Sequence, residues 1–161
     1  VELIPLKASA GYTRGYADPE YIEKLPKMRL PFLPTGKHRA FPIKGDSMPP
    51  IREGSFVIGK YLERFDEVKF GNTYVVVTKD DGLTYKRIMA FHKKENAYEL
   101  HSDNKLYQPF KVKAEDILEI WEYTCSINMT QYKEDELNLD SIMNMLRSLK
   151  VEISEIKREK K

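Results

Sequence analysis

The sequence predicts a mostly β fold: a compact antiparallel domain with an extended amino-terminal arm and a carboxy-terminal α-helical tail. Three observations predict it. Between residues 39 and 123 the chain is a succession of short β-branched and aromatic runs, with no helical pattern of about 10–15 residues between them. Ahead of that region, residues 1–36 hold five of the nine prolines. Behind it, apolar residues recur in alternating steps of three and four, the period of a helix.

The arm comes first. Pro5, Pro19, Pro26, Pro31 and Pro34 punctuate it, and proline donates nothing to a sheet ladder, so this segment is expected along a surface or a sheet edge. Asp18 followed by Pro19 marks a short helical turn, with extended chain after it. The stretch "LKASAGYTRG" places Ala8, Ser9 and Ala10 before Gly11. It is too short for a core strand and too poor in caps for a helix, which leaves a linker or a piece of backbone that something must grip closely.

The strands follow: "SFVIGKYL" (55–62), "TYVVVTK" (73–79) and "LTYKRIMAF" (83–91), then "AYELHS", "YQPFKV" and "ILEIWEY". Between the second and third, "DDG" signals a hairpin in which Gly82 supplies the left-handed residue. The expected organisation is 1–36 arm, 37–126 β domain and 127–161 helical tail. In the tail, Leu139, Ile142, Leu146, Leu149, Ile153 and Ile156 have the spacing of a coiled-coil seam, with Glu152 and Lys157 in flanking positions that pair across two helices. A dimerising helix and a helix packed on its own domain both satisfy this pattern.

Composition narrows the function. A chain of 161 residues with a formal net charge of +2 suits one soluble domain with appendages and carries no electrostatic footprint for nucleic acid. No apolar run reaches the roughly 20 residues of a membrane span, and no signal peptide is visible. Cys125 is the only cysteine, so no internal disulfide forms, which suits a reducing cytoplasm.

The most informative motif is "FPIKGDSMPPIREG". Gly45 permits a sharp turn that exposes the Ser47 hydroxyl and neighbouring amides, and Pro49 biases Met48 towards extended geometry. A serine nucleophile needs a base. His38, His92 and His101 lie in unrelated surroundings, without an aspartate partner in sequence or metal-ligand spacing, and are expected as polar surface residues. The other candidate is Lys86 on a strand, with apolar Ile88 two places on; the ordinary fate of such a lysine is a solvent face.

Taken together, "GDSM…I.EG", then "YKRI" 39 residues after the serine, then "YELHSDNKLYQP", resemble the self-cleaving LexA-type repressor family, which includes UmuD-like proteins and λ-type phage repressors. The resemblance covers roughly residues 4–123. It implies a catalytic dyad of Ser47 and Lys86, oxyanion donors from the amides of Asp46 and Ser47, and a supporting segment ending in Asn104, Tyr107 and Pro109. The family cuts its own chain at an Ala-Gly or Cys-Gly bond upstream of the serine. Ala10-Gly11 is the sole Ala-Gly dipeptide here, and Gly11 precedes Ser47 by 36 residues.

The resemblance further implies a cytoplasmic, homodimeric regulator without metal or cofactor. Its usual trigger is a RecA filament, and its DNA contact is made by an amino-terminal helix-turn-helix that this chain lacks. The aspartate usual after the "I.EG" glycine is Ser55 here. Two other readings stay open: a UmuD-like polymerase accessory protein, and a non-catalytic dimerisation or sensing module.

Overall fold

A computed structural model of the chain describes residues 1–131 and 133–160, the side chains of residue 8 and of residues 134–141 excepted. The chain divides into two units, Val1–Met129 and Thr130–Lys161. The fold class read from sequence is the one observed.

The first unit is built on one eight-stranded sheet. Its strands are β1 (Glu2–Leu3), β2 (His38–Pro42), β3 (Phe56–Tyr61), β4 (Thr73–Thr78), β5 (Gly82–His92), β6 (Ala97–His101), β7 (Phe110–Lys113) and β8 (Ile117–Ile127). They lie in the order β1-β2-β3-β8-β4-β5-β6-β7. β1 joins β2 in parallel, and the remaining pairs are antiparallel. The long β8 occupies the middle, pairing with β3 and with β4.

Both faces of the middle strands are covered, which is why "TYVVV" is a continuous apolar run rather than an alternating one. Val75 and Val77 join Phe41, Met48, Tyr85 and Trp121 in one core. Tyr74 and Val76 turn to the other face and join Ile88, Leu100 and Ile120. Trp121 is fully buried, with its indole 5.1 Å from both the Phe41 and the Tyr61 rings.

The amino-terminal residues complete the first core through Ile4, Tyr12 and Leu25. The turn expected after Asp18 is present as a short helix, α2 (Pro19–Glu23): the Asp18 carboxylate accepts from the Glu20 amide at 3.0 Å and proline stands at the first helical position. The patch before it departs from expectation. Residues 9–11, read from sequence as uncapped backbone, open a helix, α1 (Ser9–Gly15), preceded by a 3₁₀ turn at Leu6–Ala8. Weak local signals are overridden by tertiary packing. Tyr12 is fully buried with its ring edge-on to Phe41 at 5.8 Å. A Cβ at Gly15 would come within 2.5 Å of the Tyr21 ring, so glycine is what lets the two helices close on each other.

The hairpin between β4 and β5 turns as its "DDG" signal required, with Gly82 at φ +70°. The second unit contains the helix α3 (Glu134–Glu159). Leu139 of the predicted seam falls outside the described side chains.

Candidate active site

Ser47 sits in a turn between β2 and β3, and Gly45 at φ +74° bends the chain just before it. Met48 is buried in the first core and anchors the far side of the turn. This fixes the serine by its neighbours and leaves its own side chain half-buried at the surface of a cleft.

Lys86 comes from the middle of β5. Its Nζ donates to Ser47 Oγ at 2.7 Å and to the Tyr85 carbonyl at 3.2 Å. Burial pushes its pKa below the ordinary lysine value, and desolvation is the cause. A neutral amine at this position would accept the serine proton along the same line of contact. The solvent-face outcome usual for a strand lysine is not what this chain adopts.

The two residues, 39 positions apart in sequence, are held to a common brace. The segment after β6 clamps the serine turn: the Asn104 amide donates to the Ser47 carbonyl at 3.0 Å, Asn104 Nδ2 donates to the Asp46 carbonyl at 3.2 Å, and the Tyr107 hydroxyl donates to the Asp46 carboxylate. The same segment holds the lysine strand, because Arg87 donates to both carboxylate oxygens of Asp103 at 2.9 and 2.7 Å. That bidentate pair holds the Asp103 carboxyl below the usual carboxylate range. The Asp103 amide also points at Met48 Sδ, at 3.3 Å. The segment thus locks the separation of nucleophile and amine from both sides.

Sequence reading named Asn104 and Tyr107 only by resemblance and missed Arg87 and Asp103. Their signal was the charge next to the lysine in "YKRI" and the acid opening "DNK", which pairwise spacing does not connect. The amides of Asp46 and Ser47 take no backbone acceptor among the described residues.

The cleft measures about 310 Å³. Ser47, Lys86, Leu83 and Tyr85 line it, and so do Ser9 and Ala10. The predicted patch is therefore brought to the same cavity as the predicted pair, but as the first turn of α1 rather than as an extended loop.

That turn is tied down two residues further on. The buried Tyr12 hydroxyl donates to Glu119 and accepts from Arg39 Nη1 at 2.7 Å. Glu119 also takes the Trp121 indole N–H at 3.3 Å. Burial first, and then the Glu119 carboxylate, push the Tyr12 pKa up, so its proton stays in place. Nothing in the sequence marked Tyr12, Arg39 and Glu119 as partners.

No histidine lines the cleft. His38 is buried rather than exposed, with Nδ1 3.0 Å from the Gly36 carbonyl, because β2 is covered along its whole length. His92 and His101 flank Glu99 at 3.5 and 3.0 Å. Among the described residues no group of three or more His, Cys, Asp or Glu side chains is placed to hold a metal, and no helix is long and apolar enough to cross a membrane.

A family model described as Peptidase S24-like matches residues 2–122, about three-quarters of the chain and nearly all of the sheet. No curated protein matches it.

Proposed function

Because the chain belongs to the Peptidase S24-like family, the family of LexA- and UmuD-type proteins, we propose that it is the self-cleaving regulatory part of a LexA-like transcriptional repressor. Ser47 is the nucleophile, Lys86 the general base, and the Ala10-Gly11 bond the substrate. One observation carries this reading: Lys86 Nζ lies 2.7 Å from Ser47 Oγ in a cleft that Ala10 also lines.

The reaction begins when the first turn of α1 unwinds and residues 9–11 enter the cleft as extended chain. Their arrival excludes water from Lys86 and favours its neutral form further. Lys86 takes the Ser47 proton as Oγ bonds to the Ala10 carbonyl carbon, and the amides of Asp46 and Ser47 hold the oxyanion. The Ala10-Gly11 C–N bond then breaks, and Lys86 returns the proton to the Gly11 amine. Water, deprotonated by the same lysine, releases the Ala10 carboxylate from the serine ester.

A RecA-type filament formed on damaged DNA would trigger the cut by favouring the unwound state, without supplying chemistry. The DNA contact of such a repressor would belong to an amino-terminal helix-turn-helix. The helical state of residues 9–15 favours a second reading, in which the fold is kept as a non-cleaving sensing module.

The pH profile of cleavage, followed by intact-mass spectrometry, decides between them. A free lysine titrates near 10.4, and the pKa of Lys86 is displaced downwards from the ordinary value. The rate therefore rises with pH as Lys86 loses its proton, along one titration with a midpoint below about 10.4, and releases a fragment beginning at Gly11. The rate is independent of protein concentration, because the substrate is tethered to its cleft. An intact mass after prolonged incubation of folded protein at high pH supports the non-cleaving module. A bell centred near the histidine range, or a rate proportional to concentration, overturns the dyad acting in cis.

A further inference from the structure

Beyond the residues matched by the family, α3 carries an apolar stripe along its length. Ile142, Leu146, Leu149, Ile153 and Ile156 are each 51–54% exposed. Assigning Ile142, Leu149 and Ile156 to heptad position d places Leu146 and Ile153 at a. The columns beside the seam are then sorted by charge. Position e carries Met143, Lys150 and Lys157, and position g carries Met145, Glu152 and Glu159.

That sorting chooses the occupant of the stripe. In a parallel, in-register pair of identical helices, each g residue faces the e residue five places on in the other strand. Glu152 then meets Lys157 of the second copy, and the contact occurs twice by symmetry. Met145 meets the aliphatic stem of Lys150, which extends the apolar seam. In an antiparallel pair, e columns face each other and so do g columns, setting lysines against lysines and glutamates against glutamates. We propose that α3 is a self-association helix, which pairs with α3 of a second copy of this chain as a parallel, in-register two-stranded coiled coil.

The seam spans only about two heptads among the described side chains, so the pairing is weak in isolation and is best read in the intact chain. The experiment uses disulfide trapping in the full-length Cys125→Ser protein. Position d residues of a parallel pair approach their own counterparts closely enough for a disulfide, which needs Cα atoms within about 4.4–6.8 Å. Ile156→Cys is expected to oxidise to a covalent dimer, whereas Ser154→Cys, on the outward side, is not. Adding Leu149→Lys to Ile156→Cys should abolish the cross-link while the β unit keeps its melting temperature. Adding Lys157→Glu should slow cross-linking several-fold, and Glu152→Lys together with Lys157→Glu should restore it. Equal trapping at 154 and 156, no trapping at 156, or trapping that survives Leu149→Lys overturns the proposal. The last two results point, respectively, to a helix packed on its own chain and to association through the β unit.

Discussion

The serine turn and the first turn of α1 line the same cleft, yet they are prepared to opposite degrees. Ser47 and Lys86 are in contact at 2.7 Å and braced from two sides by the Asp103–Tyr107 segment. Ala10-Gly11 is folded into the first turn of the helix α1 (Ser9–Gly15). A helix rises about 1.5 Å per residue and an extended strand about 3.3 Å, so the proposed mechanism needs local unwinding to lay residues 9–11 along the cleft as extended chain. The difference teaches where control resides under the proposed mechanism. In that mechanism the two reacting side chains already touch, and the free energy of opening α1, together with the deprotonation of Lys86, sets the rate.

The largest expected effect removes the prepared half. Ser47→Ala deletes the proposed nucleophile and Lys86→Ala the proposed base, so each is expected to lower release of the Gly11 fragment below detection by mass spectrometry. Neither side chain is a buried core residue, so the thermal melt should remain cooperative. Cleavage by Lys86→Ala that stopped only when all three histidines were replaced would show that the contact is structural and not catalytic.

The next effect acts on the unprepared half. Tyr12→Phe removes the hydroxyl that links α1 to Glu119 and Arg39 while keeping the ring in its core. Buried hydrogen bonds of this kind, to charged partners, contribute about 1.5–3 kcal/mol each, and Glu119 and Arg39 recover part of that by moving together. A net loss of about 1.4 kcal/mol in α1 would raise the cleavage rate about tenfold. A rate that falls instead would make Tyr12 a pivot that must stay docked for residues 9–11 to reach Ser47.

What the sequence disclosed follows the same division. The strands were legible because period, β-branching and the Gly82 turn are local signals, each confined to fewer than about ten residues. Ser47 and Lys86 were legible because several ordered motifs flank them. α1 was not: Ala8–Gly11 has neither a cap nor an apolar period, and its helix exists because Tyr12 is buried by Phe41, Glu119 and Arg39, which lie 27 or more positions away in the chain. The bracing pair Arg87 and Asp103 was hidden for the same reason, a contact made only once β5 and β6 are side by side.

The smallest effect tests the unwinding step by sign. Gly11 is exposed within α1, and a Cβ there would have no neighbour within 4 Å. Alanine therefore fits the helix and favours it by about 0.8–1.0 kcal/mol over glycine. If cleavage proceeds from the unwound state, Gly11→Ala lowers the rate about fourfold to fivefold. The substituted residue also forms one side of the proposed scissile bond, so a second change is needed away from it. Arg14 is exposed in the same helix, and Arg14→Gly shifts the helix equilibrium the other way by a similar amount. It should raise the rate severalfold with the bond itself unaltered. Opposite changes of comparable size place control in the opening of α1. Slower cutting by Gly11→Ala with no acceleration by Arg14→Gly would confine control to residues 9–11, either to the opening of the first turn alone or to the fit of residue 11 to the cleft.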